Sequence, residues 1–236
     1  MSVHYDDLDI NRDIRLDLPL REGIGIVTQD VAKPHHLVTM VGTPAWTILD
    51  SYLNVITLDG ATQYASCAGA TCADLDFTTG DYSLADWIFI QSGDPSEELL
   101  NRFSLNANGW ELYHYSNLIM TLRHHHSLYT PPGGSNPRTA SYSENWALNT
   151  WYFLGVSRPG GENAIFYRNG LAIPTFSSAG GLHDPESCVQ NLNIGANPGP
   201  VNRHLGMFWR PRVWARVLTA ADWAWIYERE VRWFRS

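Results

Sequence analysis

The stretch Trp151-Tyr-Phe-Leu-Gly-Val-Ser157, the break Pro159-Gly160-Gly161, and the run Ala164-Ile-Phe-Tyr-Arg-Asn-Gly170 decide the fold class. Both apolar runs are rich in the aromatic and β-branched side chains that suit a pleated surface. A glycine-rich break between two such runs reads as a β-hairpin. Asn169-Gly170 then tolerate positive φ and turn the chain again, into Leu171-Ala-Ile173.

The same pattern extends in both directions. Asp59-Gly60, Asn108-Gly109, Pro131-Pro132-Gly133-Gly134, Gly180-Gly181 and Asn197-Pro198-Gly199 punctuate the chain. Between the breaks lie the strand candidates Tyr52–Leu58, Tyr82–Gln91, Gly109–Tyr115, Asn117–Arg123, Leu192–Ile194 and Gly206–Ala215. Turns every eight to twelve residues or so predict an all-β, antiparallel sandwich or barrel. Helix signals wait until the end, where Thr219-Ala-Ala-Asp222 forms a capping-box pattern and Trp223, Ile226 and Tyr227 share one helical face. One short helix over 219–234 is expected.

At 236 residues, 44% hydrophobic and 17% charged, the chain suits a single sandwich domain over 14–236, preceded by an acidic arm over 1–13. Nothing approaches the ~20 apolar residues of a bilayer-spanning helix, so membrane insertion is not expected. A net charge of −8 argues against nucleic-acid binding. The charge is bipolar. Asp6, Asp7 and Asp9 stand at the start, and Arg229, Arg232 and Arg235 flank Trp233 at the end. Two readings stay open: the termini pair within one fold, or one subunit's start meets the next subunit's end.

Read in order, the segments resemble the concanavalin A-like, laminin-G-type (pentraxin-like) domains over about residues 14 to 230. The likeness is carried by Leu18-Pro-Leu-Arg-Glu-Gly23 with Asp30 and His35-His36, and by Val55-Ile-Thr-Leu-Asp-Gly-Ala-Thr-Gln-Tyr64. Phe77 to Trp87, Gly109-Trp-Glu-Leu-Tyr113, Leu118 to Leu122, Trp151 to Val156, Tyr167-Arg-Asn-Gly-Leu171, Leu192-Asn-Ile-Gly195 and Gly206 to Thr219 continue it. The resemblance implies a jelly-roll β-sandwich. Two positions depart from the pattern: Leu37 stands where a glycine is typical, and Trp209-Arg210 where an acidic residue is usual.

The same fold hosts glycoside hydrolases, which need two carboxylates facing one bond from ~5–9 Å apart. No Glu-x-Asp-x-Glu run is present; Asp74-Leu-Asp76 reads as a connecting loop, as does Glu97-Glu98, so the chain is read as no enzyme. On family grounds calcium is the possible cofactor, with Asp59, Asp74, Asp76 and Asp81 as its candidate ligands. His124-His125-His126 could offer two imidazoles on one side of an extended stretch, but a solvated loop or subunit contact is the simpler reading. Cys67 and Cys72 are close enough in sequence for a disulfide, and Cys188 is then a buried apolar residue.

Trp110, Tyr113, Tyr115, Trp146 and Trp151 supply the flat faces that sugar clefts use, and equally the filling of a sandwich interior. With 10 Trp and 11 Tyr, some must meet a surface. The expected function is therefore binding or assembly. The first candidate is a virion surface component, a phage head decoration or a tail or fibre protein, that leaves the cell at lysis and touches other virion proteins, further copies of itself, or host glycans. The alternative is a carbohydrate-binding or adhesion module of an extracellular protein. In the assembly reading the arm, Met1 to about Ile14, is ordered only by contacts outside its own sandwich.

Overall fold

The computed structural model describes residues 5–94, 96–115, 118–127, 138–141, 146–177, 181–199 and 201–235. The first half of the chain forms β1 (Ile14–Asp17), β2 (Val27–Gln29), β3 (Leu37–Val41), β4 (Ala45–Ile48), β5 (Asn54–Asp59), β6 (Tyr64–Cys67) and β7 (Tyr82–Ile90). There follow β8 (Glu97–Ser104), β9 (Asn108–Tyr115), β10 (Ile119–His124) and β11 (Arg138–Ser141). Next come β12 (Trp151–Arg158), β13 (Ile165–Arg168), β14 (Leu171–Ile173), β15 (Thr175–Ser177), β16 (Leu192–Ile194) and β17 (Leu205–Trp214). The helix α1 (Ala220–Glu230) and a 3-10 turn, Val231–Trp233, close the chain.

Among the described residues the strands make two antiparallel sheets. One runs β14-β13-β12-β7-β17-β5-β4, with β1 also on β17; the other runs β15-β11-β10-β9-β8-β16-β6-β3-β2. The expected hairpin is β12–β13, with Gly155 opposite Tyr167 and Val156 opposite Phe166. Asn169 and Gly170 take φ of 52° and 79°, and turn the chain into β14 as their residue types require. Leu84, Ile88, Leu154, Val156, Phe208 and Val213 join Trp110, Leu112, Met120 and Leu122 of the second sheet in one buried core.

The outer face of the first sheet is covered by α1. Thr219 and Asp222 exchange the two capping hydrogen bonds read from the sequence. Trp223 is fully buried and donates its indole N–H to Ser157 Oγ at 2.9 Å. Gly155 is required beneath it, because a Cβ there would stand 2.7 Å from the indole ring. The helix ends at Glu230, and the segment to Trp233 is a tighter 3-10 turn.

Several expectations are corrected. Glu97-Glu98 open β8 instead of lying in a loop; both are buried, where polar partners make strand positions tenable. Residues 5–13 do not await an external partner. Tyr5 Oη donates to Asp17 Oδ2 at 2.6 Å, Trp214 Nε1 to the Ile10 carbonyl at 2.8 Å, and Arg216 to the carbonyls of Asp9 and Arg12. The arm's own backbone carbonyls thus dock it on β17. Cys67, Cys72 and Cys188 are all free thiols, so the disulfide is not formed. The turn at 131–134, Gly180, Asn117, residues 1–4 and the Asp6 side chain lie outside the described residues.

Candidate functional site

The site begins with a break in register. Trp209 on β17 faces Trp87 on β7, but the next paired residue is Arg212, opposite Ala85. The bulge puts Arg210 at φ 60° and re-aims its side chain. Arg210 grips Asp17 through Nε and Nη2, both at 2.9 Å, and donates from Nη1 to Glu230 Oε1 at 2.8 Å. Arg212 forks onto the same Glu230 carboxylate at 2.9 and 2.8 Å, and Trp87 Nε1 donates to it at 2.9 Å. Burial alone would raise the Asp17 carboxyl, but the guanidinium of Arg210 outweighs it and holds the group below its ordinary range. Opposite-charged groups from near the two ends of the chain therefore pair within one fold.

Against this frame lies a cleft of about 450 Å³. Its walls are Leu8 and Ile10 of the arm, Arg21 and Leu53, Trp209 and the bulged arginines, and Trp225, Arg229, Arg232 and Trp233 of the terminal segment. Trp225 and Trp233 are 39% and 37% exposed. Arg229 lies 4.1 Å over the Trp225 ring and Arg232 lies 5.0 Å over Trp233, so each cation rests on an indole face. Arg210 and Arg212 are neutralised by Asp17 and Glu230. Arg21, Arg229 and Arg232 form no ion pair among the described residues, and this leaves the cleft cationic on a chain whose net charge is −8. Trp209 Nε1 and Arg212 Nε are buried without a hydrogen-bond partner among the described residues. Such donors cost free energy until an acceptor arrives.

A second depression, about 400 Å³, shares Trp233 and adds Trp151, Phe89, Asn149, Phe234 and Arg235. Trp151 and Phe234 have ring centroids 4.7 Å apart. Trp151, Trp233, Arg229, Arg232 and Arg235, expected in two separate roles, are thus brought to one rim. Asp7 and Asp9 stay with the docked arm and line a separate pocket with Arg12, Arg15 and Lys33.

The rest of the expected aromatic set is dispersed, which corrects it as a single sugar platform. Trp110 is fully buried and donates to the Leu75 carbonyl; Tyr113 is buried under Arg123. Trp146 is buried edge-on to Tyr152, and Tyr115 alone stands exposed at the end of β9. Alternation on β9 explains this split: Trp110 and Leu112 face the core, so Tyr113 and Tyr115 must face away.

The four candidate calcium ligands do not converge either. Asp59 accepts the Thr62 hydroxyl and the N–H groups of Ala61, Thr62 and Gln63; burial raises its carboxyl, but these bonds together prevail and bring it down to about 2. Asp74 accepts from His36, Asp76 from Ser187 and the Cys188 N–H, and Asp81 from the Gly160 N–H. His124, His125 and His126 diverge to the His183 carbonyl, Glu111 and Glu186.

Two carboxyl groupings escaped the sequence reading. Glu98 and Glu111 are both buried on neighbouring strands. Burial and then the Glu111 charge push Glu98 well above the ordinary range. Glu111 is kept low, against burial, by His125 and Arg123. Glu97, His114 and His204 form the other grouping, all buried, with ligand-type atoms within 4.8 Å of one another. The cleft was not read from the sequence; the Trp209-Arg210 departure and the spacing of Trp225 and Arg229 at i, i+4 are the signals that could have found it.

Residues 59–222 match the family model of the concanavalin A-like lectin/glucanases superfamily. The chain belongs to this superfamily. No curated protein sequence matches it. Solved structures with the same fold include the binding domain of botulinum neurotoxin serotype D/C VPI 5993, at 17% identity and TM-score 0.69 over 94% of this chain and 53% of that one. The binding domain of Paraclostridial Mosquitocidal Protein 1 matches at 10% identity and TM-score 0.69, with the same coverage. The binding domain of botulinum neurotoxin DC in complex with rat synaptotagmin II matches at 16% and 0.67, over 94% of this chain and 52% of that one. The chain spans about half the length of these proteins.

Proposed function

We propose that the protein is a non-catalytic, lectin-like binding module whose ligand is a glycan carrying an acidic group, held in the cleft between the arm, the β17 bulge and the end of α1. One observation carries the reading. Indole faces at Trp225 and Trp233 stand beside Arg229 and Arg232, which form no ion pair among the described residues, and all four line one cleft. Aromatic faces take the apolar side of a sugar ring, and guanidinium forks take a carboxylate or sulfate. The superfamily includes lectins, and the structural relatives are binding domains; both support a binding role. The superfamily also includes glucanases, but Glu98 and Glu111 are at most 2% exposed and lie outside this cleft. A glycan array, followed by calorimetry on Trp225→Ala, Trp233→Ala and Arg229→Ala, tests the reading. Binding to acidic glycans that falls at least tenfold in these variants supports it; binding that is unchanged in all three overturns it.

We further propose that this module is displayed on a virion surface, where exposed Trp225 and Trp233 face other molecules. Antibody labelling of purified particles under the electron microscope decides this placement: labelled particles support it, and bare particles with the protein free in the lysate overturn it.

A further inference from the structure

We infer that Glu97, His114 and His204 form a buried transition-metal site, with Zn²⁺ the ion of best fit, bridging the two sheets. Glu97 opens β8 and His114 lies opposite it on β9, while His204 immediately precedes β17 in the other sheet. His114 Nε2 and His204 Nδ1 lie 3.2 and 3.1 Å from the same oxygen, Glu97 Oε2. Ligands about 2.0–2.1 Å from a tetrahedral zinc are separated by roughly 3.3 Å, so both spacings suit one shared ion. The three side chains are at most 5% exposed.

Glu97 Oε2 also accepts the Leu205 N–H at 3.1 Å, which holds that oxygen in place between the two rings. On the far side of the His204 ring, Nε2 and the Phe89 carbonyl both lie against Gly206. That carbonyl and Nε2 crowd Gly206, where a Cβ would stand 2.0 and 2.7 Å from them, so only glycine admits the ring. His114 Nε2 and His204 Nδ1 thus converge on one buried carboxylate oxygen, the place a shared cation would take. A divalent ion also offsets a buried carboxylate that has no arginine or lysine partner among the described residues. The metal would enter during folding, since the site is closed in the folded chain.

The test uses the full chain, stripped by unfolding in chelator and refolded with or without Zn²⁺ or Co²⁺. Expected results are one tightly held zinc per chain by elemental analysis, a higher Tm for the zinc-refolded protein, and visible cobalt absorption of a four-coordinate site. His204→Gln and His114→Gln should lose the cobalt spectrum, while His126→Ala, which pairs with Glu186 away from the cluster, should keep it. Refolded wild type with no cobalt spectrum and no Tm shift overturns the inference, even if the variants do not fold. Loss of the metal in His126→Ala but not in His204→Gln overturns it equally.

Discussion

Arg210 holds both carboxylate oxygens of Asp17, at 2.9 Å each, across 193 residues of chain. This pair, with Glu230 on its far side, fastens β1, the β17 bulge and the end of α1 to one another. Asp17 is fully buried and Arg210 is about a quarter exposed. Removing one partner strands the other, and that costs more than the pair itself contributes. Arg210→Ala should destabilise the fold by about 3 kcal/mol, measured by urea unfolding. Asp17→Asn should cost about as much, and the double variant should cost less than the sum. Strictly additive losses would refute a direct coupling.

His36 bonds Asp30 Oδ2 through Nδ1 and Asp74 Oδ1 through Nε2, both at 2.8 Å. Burial disfavours its charge, but the bonds to the two carboxylates prevail and lift it to about 9. The folded value lies above the unfolded value of ~6.5. The native state therefore binds the extra proton between the two, and stability falls as pH rises through that window. Unfolding free energy should be full below pH ~6.5 and decline toward pH ~9. His36→Gln should flatten this slope. A slope unchanged in the variant would place its origin elsewhere.

Trp223 fills the space over Gly155, with Phe153, Tyr167 and Trp214 around it at ring-centroid separations of 6.0, 5.3 and 6.1 Å. Trp223→Ala should destabilise by about 3–5 kcal/mol, the usual range for a large buried aromatic. Gly155→Ala should also weaken the domain, because the added methyl meets the indole at 2.7 Å. Thermal melts of both variants check the seam. A wild-type Tm in Gly155→Ala would mean that the helix is not seated as described.

What the sequence revealed and concealed follows from the range of the interactions. The β12–β13 hairpin, the Asn169-Gly170 turn and the Thr219 cap are local devices, so their residue types suffice to name them. Strand β8 was hidden because Glu97, Glu98, Asn101 and Arg102 break the apolar alternation; their partners, His204, Glu111, Ala196 and Cys188, come from distant segments. The cleft was half legible. Trp233 and the terminal arginines stood out by composition, but Trp209 joined them only through a register shift, which depends on how β17 pairs with β7. Trp110 and Tyr113 misled for the opposite reason: an aromatic residue on a strand carries the same letters whether it faces core or solvent.

Arg102 gives the last prediction. It is buried and donates to the carbonyls of Cys188 and Gly69 and, at 2.8 Å, to Cys72 Sγ, and it forms no ion pair among the described residues. The Cys67 thiol beside it, then the Leu192 backbone, and then Arg102 bring Cys72 down to about 6 against the effect of burial, while Cys67 is driven up. A buried guanidinium without an acidic partner needs a counter-charge, and a Cys72 thiolate supplies it. The thiolate absorbance of the native protein near 240 nm should therefore titrate with a midpoint around pH 6 and vanish in Cys72→Ser. Denatured, unreduced protein should yield three free thiols with Ellman's reagent. Arg102→Met should move the midpoint upward, because the cation is gone and the desolvation stays. A midpoint that does not move would show that Arg102 is balanced by something other than Cys72.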